Sequence, residues 1–457
     1  LEAYNKRDAT ETIEHLLDEK YRSYSMYVIY SRAIPSIKDG LKLVQKRALW
    51  TAKDNAKDWT KVNTLSGIAV RLHPHGSGSI DDTISKMAQN FPGANNYTLF
   101  TGKSGFGSRL SGPGNGIGAS RYVSVKISET AKKILLIDME LIKIIPSYDG
   151  EFTECENFLP IVPIALLNGI TGMAVGYATE IQPYKIEDII KLQKRVIEGK
   201  KLTNKDIPLP WFKGFNGKVY KDEEGIVKCR GTFTLEKNDL VITELPIGWN
   251  REQYVKLLDN LKDNGTIRDY TNKSGGKDSE EERFKFLVKL PKGSNYGEED
   301  VIKTFKLEST LNQNLNLIDT KDKLRTYSNV CEIIEEFTNW RFSFYKKRYE
   351  LLKKNLSEVI SYNKELLKFI QFVIDSNYVK KMSTISKASM VKELEGKFTH
   401  IDKLLNTPIY HFNLDKIKEL KDRIYEDEKQ ANSWDEIIKS ENKQREIYSK
   451  ELDSIKL

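Results

Sequence analysis

Gly118-Ala119-Ser120-Arg121-Tyr122-Val123 decides how this chain is read, together with the turn His73-Pro74-His75-Gly76, whose second histidine lies 47 residues before Tyr122. Between the two runs a glycine-rich stretch, Gly102 to Gly118. Glycine lets a backbone come close to a ligand. Arg121 offers a planar fork of donors that fits a phosphate, and Tyr122 beside it offers a phenolic oxygen. A phenol attacking a phosphodiester makes another phosphodiester, so the bond energy is kept and rejoining needs no ATP. Because a phenol titrates at about 10, its oxygen needs a positive field or a base to act at neutral pH. Arg121, Arg32 or a metal could supply the field, and His75 or His73 could shuttle a proton.

The elements around these residues read as a DNA-binding platform. Glu11 to Val28 is expected to be helical, and Leu41 to Ala56 forms a second helix made basic by Lys42, Lys46, Arg47 and Lys53. A third helix opens at Ser77-Gly78-Ser79, with Ser77 as its N-cap and Asp81 and Asp82 suiting the positive end of its dipole. Ile80, Ile84, Met87 and Ala88 fall on one face, which is expected to be core. A short helix after a turn with basic flanks fits a helix-turn-helix or winged helix. The glycine stretch is not a nucleotide site. Gly102-Lys103-Ser104 has Tyr97 where a phosphate-binding loop needs glycine, and Gly105-Phe106-Gly107 is followed by Leu110 where the dinucleotide fingerprint needs its third glycine.

Length and composition bound the rest. The 457 residues carry a net charge of +8, with 39% hydrophobic and 30% charged residues, which fits about two to four globular domains. No run approaches the roughly 18 apolar residues of a membrane helix. The polar start, Leu1 to Asn5, lacks an apolar signal segment, so the expected location is cytoplasmic, with no membrane partner. Three well-separated cysteines without a CxxC pair argue for a reducing compartment and against zinc. Lysines outnumber arginines 56 to 17, which is best read as genome composition. No metal-binding carboxylate cluster or ATP motif is found.

Downstream the pattern changes twice. From about Leu159 to Asn329 the chain is mixed. Apolar runs Pro163–Leu167 and Met173–Tyr177 are separated by a turn signal at Asn168-Gly169, and hairpins are expected over Phe215–Leu245, with turns at 222–225 and 236–239. A helix capped by Asn250 runs from Arg251 to Leu261, Asn272–Glu282 is a polar loop, and Arg283–Leu290 alternates like a strand. From Val330 onward Pro and Gly nearly vanish, and Tyr345, Leu352, Val359, Leu366 and Val373 repeat every seven residues. The repeat fades at Asp375-Ser376-Asn377, a compact helical stretch follows to about Phe412, and Leu414–Leu457 reads as a second long helix. Together these predict an antiparallel coiled-coil arm.

These motifs resemble those of the breakage-reunion subunit of type IIA DNA topoisomerases, the gyrase A-subunit family. The resemblance is specific over the first ~190 residues. It rests on Tyr27–Pro35, on Asp39-Gly40-Leu41-Lys42 with Val44-Gln45-Lys46-Arg47, and on His73-Pro74-His75-Gly76 with Asp82-Thr83-Ile84. Phe106-Gly107-Ser108, Ala119–Tyr122, and Leu159–Pro163 through Gly172-Met173-Ala174-Val175-Gly176 complete it. It implies an α+β, multidomain fold: an N-terminal arm (1–22), a winged-helix breakage-reunion domain (23–157), a mixed α/β tower domain (158–329), and a coiled coil with a helical C-gate (330–457). It also implies that Tyr122 cuts DNA through a 5′-phosphotyrosyl link, with Arg121 and Arg32 stabilising charge and His75 transferring the proton. DNA contacts would fall to Lys42, Arg47, His73, Ser77, Gly78 and Ser79, and Val162 would act as a wedge between base pairs. Gly78 stands where relatives carry a quinolone-contacting serine, and Asp82 where they carry its acidic companion.

The same resemblance implies partners. The expected chain lacks the ATPase, the TOPRIM domain and the DNA-wrapping domain, a division of labour like that of T-even-like phage topoisomerases. Mg²⁺ and ATP would then be held by a large TOPRIM/ATPase partner, and two copies of this chain would dimerise through the C-gate on double-stranded DNA. For a phage-encoded chain the location is the bacterial host cytoplasm. The rival readings are a non-catalytic winged-helix DNA-binding dimer and a gyrase-like supercoiling subunit.

Overall fold

The computed structural model describes residues 16–236, 239–275, 283–382 and 384–455. The chain is α+β and divides into two compact units, one of Leu1–Arg341 with Leu452–Leu457, the other of Phe342–Glu451. No helix among the described residues is long and apolar enough to cross a membrane. Residues 1–15, the two turn residues 237–238 and most of the polar loop (276–282) lie outside the described residues.

The larger unit opens with α1 (Arg22–Val28), flanked by wider helical turns at Leu16–Tyr21 and Ile29–Ala33. Then come α2 (Leu43–Asn55), β1 (Thr60–Lys61), α3 (Val62–Ala69) and α4 (Ser77–Met87), followed by β2 (Phe100–Gly102) and β3 (Ser124–Ile127). The three strands form one antiparallel sheet with β3 in the middle, in register Thr60↔Val125 and Phe100↔Ile127. The apolar face expected of α4 is buried, with Ile80, Ile84, Met87 and Ala88 each at most 5% exposed. Two expectations for this helix are corrected. Its N-cap is Gly76, at φ +81°, and Ser77 is the first helical residue. Asp81 and Asp82 therefore sit in the second turn rather than at the dipole's end, and Asp81 accepts a hydrogen bond from the Ser66 hydroxyl.

Beyond the sheet lie α5 (Glu129–Ile134), β4 (Ile144–Pro146), β5 (Thr153–Cys155), α6 (Ile164–Asn168), β6 (Ile170–Met173), β7 (Ala178–Ile181) and α7 (Ile186–Ile197). The run Met173–Tyr177 is not a strand of its own. It is the tip of the β6–β7 hairpin, closed by Ala174 N–H to the Tyr177 carbonyl at 2.7 Å. Next come β8 (Lys218–Lys221), β9 (Val227–Arg230), β10 (Thr232–Glu236) and β11 (Asp239–Glu244), the hairpins foreseen from turn residues. Then α8 (Arg251–Asp263) starts on Asn250, whose side chain accepts from Gln253 N–H as expected of a cap. The sequence continues with β12 (Asp269–Asn272) and β13 (Phe286–Lys289), where Phe284, Phe286, Val288 and Leu290 alternate into the core. The unit's remaining strands include a β9 partner at Glu308–Thr310.

The smaller unit is helical. A 46-residue helix, α9 (Val330–Asp375), ends where the sequence pattern fades, with Asn377 at φ +51°. The returning segment is not one helix but two, α10 (Leu414–Lys439) and α11 (Glu441–Ser454), because Ser440 takes extended backbone angles. Pairing runs antiparallel: Tyr345 stacks on Tyr448 at 4.7 Å, Lys353 meets Asp435 at 2.6 Å, and Lys364 meets Glu428 at 2.6 Å. The seven-residue seam holds at Tyr345 and Val373 but not at Val359, which is 41% exposed, while Ile360 is buried beside Leu356. A straight helix drifts about 20° per heptad from a strict seven-residue repeat, and the core moves to the neighbouring position.

Candidate active site and nucleic-acid interface

Three clusters are built from the residues that the sequence singles out. The first is the Arg121-Tyr122 pair. Tyr122 N–H and Val123 N–H both bond the Ala119 carbonyl, at 2.8 and 3.3 Å, forming a tight turn just before β3. The turn is tied to the start of α3 by Val62 N–H to the Val123 carbonyl (3.2 Å) and Asn63 N–H to the Ser120 carbonyl (3.3 Å). Lys61 Nζ bonds the Tyr122 carbonyl at 2.5 Å. The Tyr122 ring is 68% exposed, and the Arg121 guanidinium lies over it, 4.8 Å from the centroid. A cation over the ring face stabilises electron density there and sets a phosphate-binding fork beside the phenolic oxygen.

The second cluster is the histidine turn at the other end of α3. His73 N–H bonds the Ala69 and Val70 carbonyls, both at 3.1 Å. His73 and His75 meet edge to face with centroids 4.8 Å apart. Arg47 Nη1 donates to His73 Nδ1 at 3.2 Å, so that nitrogen is the acceptor and the neutral ring carries its proton on Nε2. Arg47 is held in turn by Glu154 of β5 through two bonds of 2.7 Å. Burial, then the charge of Arg47, then His75 and Arg32 push His73 down to about 4, so it is neutral at physiological pH. His75 is exposed, and its Nε2 lies 3.1 Å from the Tyr27 hydroxyl. Arg32, also exposed, lies over the Tyr27 ring at 5.4 Å. Tyr122 and the histidines thus attach to opposite ends of α3, and among the described residues no hydrogen bond joins them.

The third cluster is basic. Lys42 is half-buried just before α2, and burial together with nearby Lys86 of α4 lowers its pKa. Two like charges converging on one spot favour an anion between them. Behind them the glycine loop is anchored by Gln89, a residue the motif reading passed over. Gln89 Nε2 donates to the Phe106 carbonyl (2.9 Å), and Gly114 N–H donates to its Oε1 (2.8 Å). The loop closes on itself so tightly that a side chain at Gly107, φ +75°, would stand 2.3 Å from the Asn115 carbonyl.

Three of the side chains expected to contact DNA are buried. Arg47 is 8% exposed and committed to Glu154, His73 is 6% exposed, and Val162 is fully buried. Lys46 also points inward, to Asp39 at 3.0 Å and the Glu156 carbonyl at 2.7 Å. Ser77, Gly78, Ser79 and Asp82 line the exposed side of α4. Met173, at the hairpin tip, is 88% accessible. Its neighbour Gly172 lies so close to the Ala33 carbonyl that a Cβ would fall 2.1 Å from it, which docks the hairpin beside Arg32. Sequence could have found Met173 only by placing it at the end of a hairpin strand rather than at the start of a separate apolar run. Among the described residues no group of three or more His, Cys, Asp or Glu side chains is placed to hold a metal ion.

Comparison with known proteins gives this geometry a family. The chain is 29% identical over 466 residues to the DNA topoisomerase medium subunit of Enterobacteria phage T4, covering 99% of each. It is 32% identical over 372 residues to the mitochondrial DNA topoisomerase 2 of Dictyostelium discoideum, a match spanning 80% of this chain but only 28% of that protein. Its fold superposes on the Plasmodium falciparum topoisomerase II DNA-binding, cleavage and re-ligation domain with a TM-score of 0.80 and 26% identity, covering 95% of this chain and 63% of that one. The family model for the A-subunit of DNA gyrase/topoisomerase IV matches residues 32–453, from the arginine beside the histidine turn to the end of the last helix, and the chain belongs to that family.

Proposed function

We propose that this chain is the DNA-cleaving and religating subunit of an ATP-dependent type II DNA topoisomerase, with Tyr122 as its nucleophile. The observation that carries the reading is the exposed Tyr122 ring under the Arg121 guanidinium, on a turn whose backbone is fixed to α3 and β3. Attack of the phenolic oxygen on phosphorus forms the 5′-phosphotyrosyl bond and breaks the bond to the 3′ oxygen, which takes a proton. Rejoining reverses each step. Arg121 and Arg32 stabilise the charge that builds on the phosphate oxygens. His75, exposed, exchanges the proton, and the neutral, buried His73 supports it. Since Tyr122 and His75 sit at opposite ends of α3, their meeting on one phosphate calls for a second copy of the chain.

The helices α2–α4 with the sheet β1-β3-β2 support reading 23–157 as a winged-helix domain after a short arm (1–22). Residues 158–329 are then the tower, and 330–457 the coiled coil and C-gate. Lys42 and the exposed side of α4 (Ser77, Gly78, Ser79) would meet DNA, and Met173 replaces Val162 as the wedge. Ile409, Tyr410 and Leu414, each at least 70% exposed in the helical unit, suit a dimer contact between two copies. The name of the phage relative, a medium subunit, supports a larger partner. That TOPRIM/ATPase partner would hold Mg²⁺ and ATP. The place of action is the host cytoplasm of a phage-encoded enzyme. Tyr122→Phe tests the core of this reading: mixed with the partner, Mg²⁺ and labelled DNA, then denatured with detergent, it should bind DNA but give no covalent adduct. Adduct at the wild-type level would overturn the assignment.

A further inference from the structure

We propose that Tyr27 is a positioning residue for His75, its phenolic oxygen fixing the imidazole so that Nδ1 is the nitrogen that exchanges the proton. The inference rests on His75 as the proton-transfer group. Tyr27 projects from α1 and His75 from the turn after α3, 48 residues apart, yet the hydroxyl and Nε2 lie 3.1 Å from each other. Among the described residues, this exposed imidazole is otherwise held by its backbone N–H to the His73 carbonyl (2.9 Å) and by the edge contact with the His73 ring. Neither contact engages a ring nitrogen of His75 in a hydrogen bond.

The bond to Tyr27 engages one ring nitrogen, Nε2, as its donor or its acceptor according to the tautomer, and leaves Nδ1 as the nitrogen open to exchange. With the proton on Nε2, that N–H donates to the phenolic oxygen and leaves Nδ1 as the basic site. A proton then taken at Nδ1 gives an imidazolium whose Nε2–H···O bond is kept and strengthened, because a charged donor makes the stronger bond. The charged groups facing the pair are Arg32, over the Tyr27 ring, and Arg47, behind His73. Both are cations, and the nearby carboxylate, Glu154, is engaged by Arg47. The Tyr27 oxygen is therefore the acceptor that offsets this field when His75 becomes charged. Phenylalanine would fill the same space without an acceptor, so the hydroxyl carries the function.

Single-turnover DNA cleavage by the chain with its larger partner tests this in wild type, Tyr27→Phe, His75→Ala and the double variant. Tyr27→Phe should melt and bind DNA like wild type but cleave about two- to tenfold more slowly, the worth of one hydrogen bond. The acid limb of its rate–pH curve should move to lower pH, since the imidazolium has lost its acceptor. In the His75→Ala background the Tyr27 change should add nothing. If His75→Ala cleaves like wild type, the underlying reading of His75 fails. If His75→Ala is impaired but Tyr27→Phe is not, or if Tyr27→Phe costs as much without His75 as with it, the positioning role is overturned and the histidine assignment stands.

Discussion

Replacing Glu154 by Ala separates a residue that holds the fold from one that holds DNA. Arg47 meets both oxygens of Glu154 at 2.7 Å, with side chains only 10% and 5% exposed. Without the carboxylate the guanidinium stays buried with His73 at 3.2 Å and no counter-charge. Breaking a buried pair from one side costs about 3–5 kcal/mol. At roughly 2.1 cal/mol/K per residue, a cooperative unit the size of Leu1–Arg341 would melt about 4–7 °C lower. Arg47→Ala orphans the buried Glu154 carboxylate and should fall comparably, whereas Arg47→Ala with Glu154→Ala should recover part of the loss, because the double variant leaves neither charge orphaned. DNA affinity at two salt concentrations supplies the other arm. Lys42→Ala should lower the salt slope by about one phosphate contact and leave melting unchanged, whereas Arg47→Ala should leave the slope alone. An Arg47→Ala chain that melts like wild type and loses one unit of slope would refute the reasoning and return Arg47 to the DNA surface.

Three other outcomes are expected. His73 titrates at about 4 in the folded chain against about 6.5 unfolded, so the unfolded chain takes the proton first; stability is full above about pH 6.5 and falls as the pH drops towards 4, and His73→Asn should flatten that limb in melting curves. Gly78→Ser introduces a Cβ that meets nothing within 4 Å, and the added hydroxyl should bring quinolone-trapped cleavage complexes at about two- to tenfold lower drug concentration; an unchanged dose curve counts against a drug site on α4. Met173→Ala should weaken DNA bending and cleavage at unchanged stability, while Val162→Ala, in a full core, should cost about 1–3 kcal/mol of stability; the reverse pattern would restore Val162 as the wedge.

Local signals were legible where one residue's backbone needs or one period settled the matter. The Asn250 cap, the apolar face of α4 and the alternation around β13 all come from short-range rules. What stayed hidden depends on distant partners. Arg47 and Glu154 are 107 residues apart, and nothing in a basic helix says that Lys46 and Arg47 turn inward while Lys42 stays near the surface. Val162 and Met173 are both apolar residues of one motif stretch, and only the hairpin tip decides which of them is left in solvent. The Ser440 break escaped because its neighbours are good helix formers, whose propensity is silent about a single extended residue.

The two ends of α3 differ in how they are held, and under the roles proposed for Tyr122 and His75 that difference suits a reaction that must run backwards. The histidine turn is locked to α2 and β5 by a chain of side-chain bonds from His73 through Arg47 to Glu154, so moving it would expose or orphan a buried charge. Tyr122 is held through its backbone, and its exposed ring lies under Arg121. A side chain bonded covalently to a DNA end has to move with that end while a second duplex passes, and a ring outside the core can do so without breaking a packed contact. The groups that bring the proton back must still be in place when the ends return. With Tyr122 in its proposed role as nucleophile and the histidine turn in its proposed role in proton transfer, a rigid cluster paired with an exposed, backbone-anchored ring meets both demands, which accounts for how differently the two motifs fall between core and surface.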